Sequence, residues 1–337
     1  HSDKRRLDLE LHHTTLLLPE EGQTFPRVDG HLLVRAPIAL ASRVPGAPDT
    51  DGWVRLEGEA KFSSVDELPD FKGILHAEGV RVDHYTFAQE IHGDLVLRKE
   101  TDPARKGSQV LESQRLTVRI AGGEANLTRV RVRPLEPASE DAVSATVDIR
   151  GVDFVRLMAE LGVSQHTHVR WDIDEVHVPH FGGSLVPLKL DADLVARTGE
   201  FAVYDSPVAD PGRSRIIGLR EAQLQSHFAV RPDGVSFVSP RLVTGSSVVD
   251  GRVVFIGYAG GLRVDIPNAR VDLEEISPIG NIKMEGFAEV EVDVYNTQGD
   301  PKIDGVVKKI TGYELNEFKL GDIEGGKVAL RGRVLDL

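Results

Sequence analysis

The chain has 337 residues, with 40 Lys+Arg against 53 Asp+Glu and a formal net charge of −13. That balance argues against a duplex nucleic-acid partner, which needs a basic face to replace counterions. The absence of Cys excludes disulfides, thiolate metal sites and cysteine nucleophiles, and no run approaches the roughly 18–20 apolar residues of a membrane-spanning helix.

Tract after tract alternates apolar and polar residues with period two, the mark of a strand with one dry face. In DLVL, Leu95 and Leu97 share a face. RLTVRI sets Leu116, Val118 and Ile120 against Arg115, Thr117 and Arg119, and RVRVRP sets Val130 and Val132 against Arg129, Arg131 and Arg133. VSATVDI aligns Val147 and Ile149 with Val143 and Ala145. One helix is predicted near 153–161: Asp153 is its N-cap, Phe154, Leu157, Met158 and Leu161 form its apolar stripe, and Gly162 stops it.

Alternation then resumes. HVRWDID carries Val169, Trp171 and Ile173 on one face; PLKLDADL carries Leu188, Leu190, Ala192 and Leu194; GLRVDI carries Leu262, Val264 and Ile266. AEVEVDVY sets Val290, Val292 and Val294 against Glu289, Glu291 and Asp293, and KVALRGRV gives Val328, Leu330 and Val334. At least fifteen strands are expected, each shorter than about ten residues. Turn residues follow many of them, as in IAGGEAN, RPDG and NTQGD. SVDELPD from Ser64 and VDLEEIS from Val271 read as single helical turns. Longer loops begin at Ala41, Lys99, Arg133 and Asp205, and those near 99–108 and 205–215 are the candidate breaks in one continuous module, 1–337. Because the chain opens on His1 and shows no signal peptide, it reads as a piece of a longer protein.

The fold class is therefore all-β: an elongated, mostly antiparallel curled sheet, with a β-sandwich pair or a β-solenoid as the alternatives. Strands with one charged face favour antiparallel pairing over a doubly wound parallel sheet. A transmembrane β-barrel shares the period but needs aromatic girdles, and aromatics are only 6% of the chain.

No GxGxxG, GxxxxGK[ST], GxSxG or HExxH is present, so no enzyme is expected and no cofactor is implied. The densest titratable stretch, HTHVRWDIDEVHVPH, places His166 and His168 at zinc-ligand spacing on one strand face. The reading preferred here is solvent-facing turn residues beside a hairpin. Arg129, Arg131 and Arg133 are expected on a solvated outer face, paired with acids on adjacent strands, with lipid phosphates as the other reading.

Two stretches share a cadence of short strands punctuated by glycine. In Phe71–Glu100 the punctuation is Gly73, Gly79 and Gly93; from Gly286 onward it is Gly305, Gly312, Gly321, Gly326 and Gly332. This cadence resembles the TamB/AsmA-like (translocation and assembly module) proteins and the related bridge-like lipid-transfer proteins. The resemblance implies a curled sheet open along one side like a folded taco, in the periplasm and anchored to the inner membrane through a segment not present here. It implies phospholipid acyl chains on the apolar concave face, a membrane at one or both ends, an outer-membrane assembly protein as a partner, and no catalytic residues.

Physical chemistry makes the same role reasonable. A strand face left dry must close on another face or hold a partner. An acyl chain offers ~0.8 kcal/mol per buried CH₂, on the order of 10 kcal/mol for a fourteen-carbon tail. A continuous aliphatic lining would let that tail slide without meeting water. The expected lining is the apolar set named above, and replacing Val292 and Leu330 together by Arg is expected to interrupt passage without unfolding. The alternative is a structural or protein-interaction module of the cell envelope with no lipid cargo.

Overall fold

The computed structural model describes residues 7–18, 27–39, 50–63, 69–82, 85–100, 105, 108–160, 169–204, 206, 208, 210–212, 215–276, 283–297, 300–331 and 334–336. The fold is all-β, with two short helices among the described residues. The strands are β1 (Asp8–Leu17), β2 (Arg27–Pro37), β3 (Thr50–Phe62), β4 (Asp70–Val82), β5 (Tyr85–Lys99), β6 (Gln109–Ile120), β7 (Gly123–Val132), β8 (Val143–Asp153), β9 (Val169–Leu185) and β10 (Leu188–Tyr204). They continue as β11 (Arg215–Arg231), β12 (Gly234–Val243), β13 (Val248–Asp250), β14 (Val253–Gly257), β15 (Gly261–Asp272), β16 (Met284–Thr297), β17 (Asp300–Leu315), β18 (Phe318–Arg331) and β19 (Val334–Asp336).

Most strands run 10 to 17 residues, longer than the tracts from which they were expected. The helix α1 (Phe154–Glu160) forms where expected, and Asp153 caps it by accepting from the Arg156 amide at 3.0 Å. The turn expected at Val271 forms α2 (Leu273–Ile276); the turn expected at Ser64 falls largely outside the described residues.

Two compact units divide the chain, and their segments interleave between residues 149 and 187. The first unit holds residues 1–149, 159–162 and 182–186; the second holds 150–158, 163–181 and 187–337. In the first, β1 through β7 pair each with the next, all antiparallel. In the second, β10 through β19 do the same, except that β12 meets both β13 and β14, and β15 meets both in turn.

Two packed clusters form in the first unit. One centres on Leu32, Ala60, Phe71 and Leu95, with Leu56, Leu75, Leu97 and Leu111 against it. The other centres on Ala77, Val80 and Ala88, with Val54, Ile91 and Val118 against it. The backbones beneath them come unusually close. A Cβ on Gly58 would stand 2.3 Å from the Lys72 carbonyl, and one on Gly93 would stand 2.1 Å from that of Arg115.

Candidate functional site

Paired residues of an antiparallel ladder point to the same side of the sheet, so the registers fix which expected lining residues share a face. In the first unit, Leu11, Leu32, Gly58, Gly73 and Leu95 form one rung across five strands. A second joins Val34, Leu56, Leu75, Gly93, Leu116 and Leu127, and a third joins Gly30, Ala60, Phe71, Leu97, Leu111 and Val132. Val118 and Ile120 continue the face opposite Ala125 and Gly123, and Val130 pairs with the buried Ser113.

Simple alternation would set Leu111 and Leu116 on opposite faces. A bulge in β6 brings both to one side. Its extra residues are held by the Asp94 carboxylate, which accepts from the Gln114 amide at 2.9 Å, the Arg115 amide at 2.8 Å and the Ser113 hydroxyl at 3.2 Å. Burial alone would raise the Asp94 carboxyl; these three donors outweigh it and hold the group below the ordinary carboxylate range.

Longer rungs cross the second unit. One runs Ala192, Phe228, Phe237, Val254, Val264, Val294, Ile303, Leu330 and Leu335 through nine strands. Another runs Leu190, Val230, Val235, Ile256 and Leu262. A third runs Ala196, Leu224, Leu242, Val249, Ala269, Val290, Val307 and Gly326, while Ile266, Val292, Gly305 and Val328 form a shorter one. Leu194 lies opposite Ser226, and Leu188 begins β10 on the same parity.

Burial differs between the units only in part, because most larger aliphatics on the described rungs of both are half-buried. On these second-unit rungs the buried residues are alanines, whereas the described larger aliphatics are half-buried, and Ile256 and Leu188 are each 39% exposed. Among the described residues no packed apolar cluster forms there. In the first unit Leu32, Phe71, Leu95 and Val130 are all buried, and Val147 and Ile149 are half-buried. Glycines of the second unit differ among themselves: the nearest atom to a Cβ on Gly305 or Gly326 would be 3.6 Å away, but one on Gly234 would stand 2.4 Å from the Ile256 carbonyl.

Val292 and Leu330 share a face and lie on different rungs: Val292 faces Val328 across Gly305, while Leu330 stands beside Ile303. One expectation about position is corrected. Across β19 the position opposite Leu330 is Leu335, and Val334 pairs with Arg331, so strict alternation fails there. The sequence reading also passed over Phe228 and Phe237, an aromatic pair 5.2 Å apart on the longest rung. Period two does run through Leu224, Ser226, Phe228 and Val230, but the polar Ser226 interrupts the signal.

The outer face carries charge in pairs. Arg131 Nη2 donates to Glu100 at 2.5 Å, and Arg133 Nη2 reaches the same oxygen at 3.4 Å. Arg133 Nη1 meets Asp141 at 2.7 Å, and Arg105 bridges Asp141 at 3.0 Å and Glu136 at 3.2 Å. Glu100 and Arg133 are buried. The basic strand is thus matched by acids, and Arg129 instead donates to Thr146 at 2.8 Å. Burial would raise the Asp141 carboxyl, but Ser139 and the two guanidiniums hold it low. In the second unit Asp193, 3.0 Å from His227, holds that imidazole above its usual value, with Asp191 assisting.

His166 and His168 lie outside the described residues, and His177 and His180 are exposed. Among the described residues no group of three or more His, Asp or Glu is placed to hold a metal ion. Among the described residues no helix is long and apolar enough to cross a membrane. No family model, curated protein or solved structure matches the chain.

Proposed function

We propose that this chain is a non-catalytic lipid carrier whose second unit holds phospholipid acyl chains on its apolar strand face. The observation that carries the reading is the state of that face: rungs of Val, Leu, Ile and Phe continue through as many as nine strands, yet their described larger side chains are half-buried rather than buried. Aliphatic surface in this state gains about 25 cal/mol per Å² when a partner removes it from water. Val and Leu impose no hydrogen-bond geometry, so a tail is held without being fixed in place. The resemblance to TamB/AsmA-like proteins supports the same role. It places the chain in the periplasm, moving phospholipid between inner and outer membranes in support of outer-membrane biogenesis.

A photocrosslinker at Val292, combined with lipid extraction of the purified protein, tests this. Phospholipid should be captured at Val292 and not at the outer-face position Glu291. Purified protein without phospholipid, and no capture at Val292, would overturn the proposal. The packed clusters of the first unit favour a second reading, a structural or protein-interaction module without lipid cargo; in that case inner and outer positions would capture lipid equally poorly.

A further inference from the structure

Three histidines on the charged face share one arrangement. His31 Nδ1 lies 3.4 Å from Glu59 and its Nε2 3.7 Å from Glu57, which Arg55 holds at 2.5 Å. His76 Nε2 lies 2.8 Å from Glu78 and its Nδ1 3.7 Å from Glu90, which Arg119 holds at 3.0 Å. His227 Nδ1 lies 3.0 Å from Asp193 and its Nε2 3.4 Å from Asp191, which Arg231 holds at 2.7 Å. Each is a chain of arginine, shared acid, histidine and outer acid, and in each the ring stands closer to the outer acid. The chains link neighbouring strands: β2 with β3, β4 with β5 and β6, and β10 with β11. His12, by contrast, meets one carboxylate, Glu10 at 3.0 Å.

A neutral imidazole carries one donor and one acceptor, whereas the imidazolium donates from both nitrogens. Between two carboxylates the neutral ring bonds one acid and turns a lone pair on the other, which keeps its distance. Protonation makes that nitrogen a donor and lets the chain close. Histidine is the side chain that ordinarily changes charge between about pH 5 and 8. Arg55 holds the Glu57 carboxyl, and Arg231 the Asp191 carboxyl, below the ordinary carboxylate range, so these shared acids stay ionised throughout that interval. One arginine against two acids leaves each chain at −1 with the ring neutral and at zero with it charged. Other ionisable groups face the rings from adjacent strands. On β1, His12 stands opposite His31, with Glu10 diagonal to it. Arg55 on β3 and His92 on β5 stand opposite His76, with Glu57 and Asp94 diagonal to it. On β12 the apolar Val238 stands opposite His227, with Arg241 diagonal to it.

We propose that the charged face carries a proton-operated brace: mild acid closes these three Arg–acid–His–acid chains across the strands, so that each ladder is stiffer and its outer face less negative than at alkaline pH. The claim does not depend on what the apolar face holds. At His227 the Asp193 hydrogen bond holds the imidazole above its usual value, against partial burial. A raised folded value means that the contribution is present below the unfolded value and is lost as pH rises through the folded one. Glu59, Glu78 and Asp193 are exposed, so each closure contributes only as much as a surface pair and weakens with salt.

Nitrogen-15 NMR of the histidine rings in the full chain tests this, with signals assigned by His31→Gln, His76→Gln and His227→Gln. At about pH 5.5 each of the three rings should show two hydrogen-bonded N–H protons and His12 no more than one; at about pH 8 the second proton should be gone. Glu57→Ala, Glu90→Ala and Asp191→Ala should each remove the second N–H of its own histidine and leave the other two intact. Backbone amides of β2–β3, β4–β5 and β10–β11, corrected for intrinsic rates, should exchange roughly two- to fivefold more slowly at the lower pH, and high salt should shrink that gain. One hydrogen-bonded N–H per ring at both pH values, loss of all three second signals from a single substitution, or slowed exchange that persists in the three His→Gln variants would each overturn the proposal.

Discussion

The two units are built from the same material and finish differently. Both are antiparallel meanders with an aliphatic face and a charged one. In the first, glycines at Gly58, Gly73 and Gly93 let neighbouring backbones approach so closely that no side chain fits, and leucines close over them into clusters. In the second, Gly305 and Gly326 have room to spare, and the described larger aliphatics of the rungs are half-buried with no packed cluster among them. A strand glycine therefore means close approach at some positions, as at Gly58 and Gly234, and only a missing side chain at others, as at Gly305.

The sharpest way to break this contrast is to place a charge on each face. Leu95→Arg buries an unpaired cation in the first cluster and should cost about 3–5 kcal/mol, seen as loss of the first unit's cooperative unfolding in urea. Val264→Arg together with Val294→Arg, a directly paired position, should cost little stability and abolish lipid capture at Val292. If both variants unfold alike, the difference between the units is wrong.

Arg133→Ala leaves Glu100 buried with less compensation and should cost about 3 kcal/mol, while a Glu100→Gln/Arg133→Met pair should recover most of that loss; thermal melts of the three proteins decide it. Among the glycines, Gly93→Ala should destabilise by about 2–3 kcal/mol because its Cβ meets backbone, whereas Gly305→Ala should be neutral or stabilising by about 0.5–1 kcal/mol. Equal melting shifts for the two would remove the steric distinction.

Asp94→Asn should cost about 1–2 kcal/mol at neutral pH. Because the folded carboxyl is held low, the contribution of Asp94 is present above the unfolded value of about 3.9 and disappears as pH falls through the folded one. The variant should therefore lose less stability than the parent on acidification. The smallest effect belongs to His227. Its folded value is raised, so its contribution is present below about 6.5 and fades as pH climbs through the folded value; His227→Gln should flatten that slope in the second unit only.

Much of the fold was legible because period two is a direct imprint of the pleat. Leu262, Val264 and Ile266 were expected on one face and occupy successive rungs, and Asp153 caps α1 as its spacing required. Cross-strand placement was not legible. Nothing in the chain states that Val328 rather than Leu330 faces Val292 across Gly305, because register depends on bulges, and a bulge is one residue in a strand that otherwise alternates. The β6 bulge shows the difficulty: its signature is Asp94, twenty residues away on another strand. The state of the apolar face was equally hidden, since Leu95 and Leu190 sit in similar sequence surroundings and only the first is buried.

The described strand pairings have a consequence for how the molecule is made. Nearly every one joins strands that are consecutive in the chain, so each new hairpin closes a short loop at small entropic cost. Such a ladder suits assembly in the order in which residues emerge from a ribosome or an export channel, each strand templating the next, with no need to wait for the C-terminus. It also suits growth by duplication: another hairpin inserted between two existing ones disturbs only its immediate neighbours, as in other linear repeats.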